Sequence, residues 1–416
     1  MTPDFTLFFL LAFALTLAAR LWLKFRHIRF ITAHRNAVPA DFAARIPLAA
    51  HQKAADYTVD RNKTVIFTTL LDAALLIILT LGGGLAWLND FWAARLDGLS
   101  YGLAMIFSLM LLSGILDLPV SLYRQFVIEA RYGFNRMTLG LFFGDLLKQT
   151  LLGVAIGAPL ILVVLWLMGA MGPNWWLYVW LFWSAFNLLA MFVYPTWIAP
   201  LFNKFSPLED GEMKSRIEAL LNRCGFRSSG LFVMDGSKRS NHGNAYFTGF
   251  GNNKRIVFFD TLLSRLSPPE IEAVLAHELG HFRKKHVVKH IIVMFASSLV
   301  LLWLLGQLID APWFFNGLGV PAQNTTLALI LFFLVMPIFT FPFSPLTSYL
   351  SRKHEFEADT YAAEHTAAAD LSQALVKLYE DNASTLTPDP IHSMFYDSHP
   401  PAAQRIARLQ LQEKPA

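Results

Sequence analysis

Two histidines four residues apart enclose a glutamate in His277-Glu278-Leu279-Gly280-His281. On a helix, positions i and i+4 share a face, so both imidazoles can bind one metal ion. Glu278 sits near that face, where its carboxylate can take a proton from a water polarised by the ion. Zinc, one ion per chain, suits this donor set. With 12 histidines in 416 residues, a chance H-E-x-x-H is expected about 0.01 times. A hydrolytic zinc usually has three protein ligands and one open position. Glu355, in Ser351-Arg-Lys-His-Glu-Phe-Glu-Ala-Asp359, is the candidate third ligand. Asp359 lies one helical turn on and can accept a hydrogen bond from a zinc-binding histidine. Glu357 and Glu364 are close by, and spacing alone does not separate them from Glu355. His286 and His290, in a run with Arg283-Lys-Lys, read as membrane-edge residues, and the single cysteine, Cys224, as a packed side chain.

The helix bearing the histidines has a clear start. Ser267-Pro268-Pro269-Glu270 is a capping box with proline at the first helical position. No stop signal intervenes before residue 309, so the helix is expected to run on into the apolar stretch that follows. The polar block 201–286 opens with a helical pattern at 210–223. It continues with three short β-type runs at 231–234, 244–248 and 255–259, separated by turns at Asp235-Gly236 and at 249–253. The block 350–416 reads as a helix to about residue 380, a proline-rich segment, and an amphipathic helix over 400–412.

The rest of the chain is apolar. Hydrophobic residues make up 55% and charged residues 15%, against about 25% charged in a soluble domain. Seven stretches of spanning length run over 4–23, 64–89, 99–122, 149–170, 176–200, 287–309 and 325–349. The first begins with Asp4 and has no clean cleavage site, so it reads as a span and not as a signal peptide. Of the 34 Lys and Arg, 31 lie in 24–63, 123–148, 201–286 and 350–416. Rich and poor connections alternate, which places the N-terminus outside and the C-terminus in the cytoplasm. Basic residues distributed in this way speak for membrane topology and against nucleic acid.

The motifs Ala276-His-Glu-Leu-Gly-His281 and Ser351-Arg-x-x-Glu355-x-x-Ala-Asp359 resemble those of the type I CAAX prenyl proteases. Longer runs support the resemblance. They include Tyr132-Gly-Phe-Asn135, Tyr194-Pro-Thr-Trp-Ile-Ala-Pro-Leu-Phe-Asn-Lys-Phe205, Gly236-Ser-Lys-Arg-Ser240, Asn244-Ala-Tyr-Phe-Thr-Gly-Phe250 and Ser398-His-Pro-Pro401. It covers about residues 100–410, while the first hundred match only in hydropathy. The resemblance favours Glu355 as the third ligand. It also implies that His399 and Asn244 lie near the metal, where they can donate to a developing oxyanion. The implied fold is a mainly α integral membrane protein, seven transmembrane helices around an intramembrane chamber, with a cytoplasmic zincin-like α+β domain.

The expected organisation is thus 1–200 for the first five membrane helices and 201–286 for the zinc protease domain. Residues 287–349 form helices six and seven, and 350–416 a C-terminal cytoplasmic segment carrying the third ligand. The expected function is a zinc metalloendopeptidase cleaving peptide bonds near the membrane, with a peptide or prenylated peptide as substrate and lipid as its other partner. Asn244, Ala245, Tyr246, Phe247 and Thr248 are expected to pair with substrate backbone as an edge strand. The absence of a dilysine signal at the C-terminus favours a bacterial cytoplasmic membrane over an endoplasmic reticulum. A broader role in membrane-protein quality control follows if prenylated proteins are not the natural substrates. A zinc-stabilised transporter or scaffold is the reading from another class, and it gives Glu278 nothing to do. The sequence sets no oligomeric state.

Overall fold

The computed structural model describes residues 3–226, 228–248 and 255–412. The expected turn at 249–253 lies outside them. Seven helical runs are long and apolar enough to cross a membrane. The first five are α1 (Pro3–His34), α2 (Leu48–Leu79), α3 (Gly98–Tyr123), α4 (Leu139–Ala170) and α5 (Trp175–Val193). A small domain follows, with β1 (Phe205–Pro207), α6 (Glu212–Arg223), β2 (Gly230–Met234), β3 (Ala245–Thr248), β4 (Arg255–Phe259) and α7 (Pro268–Arg283). The sixth span is α8 (His286–Leu308). The seventh run is divided by a short 3₁₀ turn at Phe341–Phe343 into α9 (Thr325–Thr340) and α10 (Ser344–His365). The chain ends with α11 (Ala368–Asp381), α12 (Pro390–Tyr396) and α13 (Ala402–Gln412).

The spans touch one another little. Between 6 and 17% of the most apolar stretch of each of the first six is buried. Their packing is concentrated at one end, where Phe9, Leu79, Met105, Leu165, Val179, Leu305 and Leu331 share a core with Phe314 and Phe315 of a short connecting helix. These residues sit near the starts of α1, α3, α5 and α9 and near the ends of α2, α4 and α8. The spans therefore alternate in direction, as the charge distribution requires. A second, separate core lies at the opposite end, built from Ile217 and Leu220 of α6, Ile256 and Phe258 of β4, Leu275 and Leu279 of α7, and Leu371 of α11. The spans are thus held at their two ends and thinly packed between them.

The sheet has the order β1-β2-β4-β3. β4 is central and apolar on both faces, with Ile256, Val257 and Phe258 at most 2% exposed. It pairs parallel with β2 and antiparallel with β3, which lies at the edge. All three expected strands form. β1 adds a fourth, because three residues are too few to show a pattern in sequence; it pairs antiparallel with β2. The expected helix at 210–223 is α6, which buries Ile217, Leu220 and Leu221 on one face.

Several boundaries differ from expectation; the helix expected to run to about residue 380 ends at His365, and a new one starts at Ala368. The second span ends at Leu79 and not at 89, because the chain turns sharply through Gly82-Gly83-Gly84. A Cβ on Gly82 would lie 2.8 Å from the Ile78 carbonyl oxygen, and Gly83 has φ +78°. Nor does α7 run into α8. Lys285 adopts a left-handed conformation, φ 58° and ψ 34°, which breaks the helix between them. The capping box is formed as expected, with Ser267 N–H donating to Glu270 Oε2 at 2.7 Å.

α7 and α10 approach one another backbone to backbone. A Cβ on Gly280 would lie 2.9 Å from the Ala358 Cα and 3.0 Å from its carbonyl oxygen. These are backbone atoms, which no rotamer change can move aside. Gly280→Ala is therefore expected to destabilise the purified protein by about 1–3 kcal/mol, the usual cost of an overpacked core. A thermal melt in detergent checks this, and an unchanged Tm would show that the two helices can part without cost.

Candidate metal centre

His277 and His281 lie one helical turn apart on α7, on either side of Gly280, and Glu355 lies one turn before Ala358 on α10. The contact at Gly280 thus brings the three side chains together. His277 Nε2 and His281 Nε2 are 3.2 Å apart. Glu355 Oε2 is 3.5 Å from the first, and Oε1 is 3.2 Å from the second. Three donors bound to one tetrahedral zinc at about 2.0–2.2 Å stand roughly 3.3–3.5 Å from one another. The residues fit such an ion, and they are the one group of three or more ligating side chains so placed among the described residues.

The surroundings prepare these atoms. His277 Nδ1 lies 2.8 Å from Asp359 Oδ1. In the neutral imidazole that a metal needs, Nδ1–H donates to that carboxylate and the Nε2 lone pair faces Glu355 and His281. Burial disfavours a charge on His277, yet its hydrogen bonds with Asp359 and Glu355 outweigh this and raise the imidazole to about 9. The pocket is built to hold positive charge between its rings and carboxylates. Arg405 of α13 completes it. Its guanidinium donates to both Asp359 oxygens, at 2.9 and 2.6 Å, and stands 3.6 Å from Glu355 Oε2. Only 5% exposed, Arg405 is a charge buried against two buried carboxylates, the pairing such burial demands. The sequence holds no signal for it beyond an arginine in an amphipathic helix.

Glu278 stands outside this hydrogen-bond network. It is half-buried, and among the described residues its carboxylate makes no hydrogen bond or ion pair. His399 Nε2 lies 3.4 Å from Glu355 Oε1, with 61% of its side chain open to solvent in the cleft. Its Nδ1 is 2.9 Å from Ser398 Oγ; with that hydroxyl donating, the ring proton sits on Nε2. Asn244 stands at the head of β3. Its Oδ1 accepts from the Ala245 amide at 2.8 Å, and it makes no hydrogen bond to the ligating cluster.

The expected strand 244–248 is β3 from Ala245 onward, the free edge of the sheet, lying against α7. Ala245, Tyr246, Phe247 and Thr248 stand opposite Phe258, Val257, Ile256 and Arg255 of β4. The Tyr246 ring meets Phe259 edge-on at 6.3 Å between centroids. All four strand residues are half-buried, as an edge with one open side should be.

His286 corrects the sequence reading. It is 2% exposed, not interfacial, and its Nδ1 is 3.0 Å from His281 Nδ1. The break at Lys285 turns it back toward the cluster. His290 is exposed, as expected at a membrane edge. Glu357 bonds His286 and not the ligating cluster, and Cys224 is a free, part-buried thiol at the end of α6.

Comparison with known proteins follows the same division of the chain. Residues 27–204 match the family model described as CAAX prenyl protease N-terminal, five membrane helices, and residues 207–413 match peptidase family M48. The CAAX prenyl protease 1 homolog of Arabidopsis thaliana is 36% identical over 91% of each chain. CAAX prenyl protease 1 of Saccharomyces cerevisiae is 39% identical over 72% of this chain and 69% of its own. The Homo sapiens homolog is 33% identical over 92% of this chain and 90% of its own. The crystal structure of S. mikatae Ste24p superimposes with a TM-score of 0.90 at 31% identity, covering 97% of this chain and 99% of that one. The chain belongs to peptidase family M48, within the CAAX prenyl protease 1 group, and is a multi-pass membrane metalloendopeptidase.

Proposed function

We propose that this chain uses one zinc ion, held by His277, His281 and Glu355, to cleave peptide bonds near the carboxyl ends of prenylated proteins. The placement of the two Nε2 atoms and the Glu355 carboxylate, each within 3.2–3.5 Å of the others, carries the reading. When bound, zinc supplies the Lewis acidity that polarises a peptide carbonyl and eases deprotonation of water. Glu278, with no hydrogen-bond or ion-pair partner among the described residues, takes the proton of the attacking water and returns it to the leaving amine. Asp359 and Arg405 hold His277 and Glu355 in place. His399, a neutral Nε2–H donor beside Glu355, and the Asn244 side-chain amide stabilise the developing oxyanion. Residues 201–286 and 350–416 form the hydrolytic module. The helices of 1–200 and 287–349 form the chamber that takes the substrate's lipid-bearing end. The 31 basic residues of the alternate connections support a cytoplasmic module and an outside N-terminus.

The free edge of β3 supports substrate binding by strand addition. The Phe259 amide donates to the Asn244 carbonyl at 2.9 Å. In an antiparallel ladder the next pair, Ala245 and Phe258, then turns its backbone groups outward. Tyr246, opposite Val257, turns its own back toward β4. Phe247 therefore presents its amide and carbonyl groups, and Ala245 its carbonyl, to the open side, in reach of an extended peptide; the outward Ala245 amide is held by Asn244 Oδ1.

Glu278→Gln is expected to keep about one zinc per chain and to lose 10²–10⁴-fold in single-turnover cleavage of a farnesylated CAAX peptide. Full activity in this variant would refute the assigned base. Chelation should abolish cleavage by the wild type, and added zinc should restore it; cleavage that survives complete metal removal would refute the metal reading. Ala245→Pro removes an outward-facing amide, and with it the bond to Asn244 Oδ1, without touching the ladder to β4. It should raise KM, or stop cleavage, with zinc content unchanged, and unaltered kinetics would exclude β3 as the docking edge.

A further inference from the structure

We propose that His286 and Glu357 are positioning residues that fix His281 in its metal-binding tautomer through a two-step hydrogen-bond relay. The inference rests on the metal reading above. Glu357 Oε2 lies 2.9 Å from His286 Nε2, and His286 Nδ1 lies 3.0 Å from His281 Nδ1. The protons follow from the chemistry of the groups. A carboxylate only accepts, so His286 Nε2 carries a hydrogen. The Nδ1 of a neutral His286 is then a lone pair. Two facing Nδ1 atoms share one proton, so it sits on His281. The lone pair of His281 is thereby left on Nε2, the atom 3.2 Å from both His277 Nε2 and Glu355 Oε1.

The two metal-site histidines are thus held by different devices. His277 donates directly to a carboxylate, Asp359. His281 reaches its carboxylate through a second imidazole. Local backbone makes this possible. In an unbroken helix, residues five apart point about 140° away from each other, and His286 would turn its ring from His281. The left-handed Lys285, φ 58°, interrupts the helix between them and returns His286 to the cluster. Non-glycine residues rarely take this conformation, and those that do concentrate at functional sites. His354 stacks on the His286 ring at 4.0 Å between centroids and 14° between planes, which holds the plane of the relay. Lys289 Nζ stands 3.8 Å from Glu357 and balances its charge.

The test is zinc affinity, measured on the full chain in detergent by competition with a chromophoric chelator, beside a thermal melt. His286→Leu and Glu357→Ala should each weaken zinc 10–100-fold, the usual effect of removing a partner behind a ligand. The double variant should be little worse than His286→Leu, because one path is cut twice. His286→Gln should recover most of the affinity, since its amide oxygen accepts from His281 Nδ1–H and its amide nitrogen donates to Glu357. Glu357 is partly exposed, so Glu357→Ala keeps the relay testable if His286→Leu fails to fold. Wild-type affinity in Glu357→Ala, additive losses in the double variant, or no recovery in His286→Gln would overturn the relay. A wild type that binds no zinc would instead overturn the metal reading beneath it.

Discussion

The centre depends on one contact, the backbone-to-backbone approach of α7 and α10 at Gly280. Three ligands on two helices can reach a common ion only if the helices run closer than ordinary side chains allow. Gly280 removes the side chain on one helix, and Ala358 keeps it minimal on the other, with no exposed surface. Everything around the contact secures it. Glu270 caps α7 and accepts from Lys377 of α11 at 2.7 Å. Glu272, further along α7, takes Arg216 and Arg223 of α6. Arg405 ties α13 to Asp359 on α10. The helix that carries the histidines is thus held from two sides, and α10 from a third.

The buried charges are arranged by the same logic. Glu355 and Asp359 are each at most 5% exposed, and two carboxylates so near one another repel unless cations lie between them. Arg405 answers Asp359 from one side. The two imidazole faces leave the other side for a cation at Glu355. Glu278, next to His277 in sequence, is spared all of these ties, and that freedom is what a proton carrier needs. A residue's lack of partners is here as informative as its neighbours' abundance of them.

Much of this is legible in the amino-acid order, and the limits of legibility are physical. The histidine spacing, the capping box and the seven apolar runs are local signals, and each corresponds to an observed element. Glu355 stands among Glu357 and Glu364 until motif resemblance favours it, because helical spacing cannot say which neighbour faces another helix. Arg405 is invisible, since its value lies wholly in tertiary partners far along the chain. His286 is misread when the helix is taken as continuous. Lys285 breaks that helix without glycine or proline to announce it. The end of the second span, by contrast, is written plainly in Gly82-Gly83-Gly84 but overrun by apolar residues on both sides.

The neck at Gly280 and Ala358 has a mechanical consequence. Between these residues the chain leaves the protease core, forms α8 and α9, and returns to within contact distance of its point of departure. Spans six and seven are therefore one hairpin pinched at its base, and the pinch is the ligand cluster itself. Joints at Lys285 and at Phe341–Phe343 lie between that pinch and the two spans, so the spacing of the donor atoms is set at the base of the hairpin and not along its length.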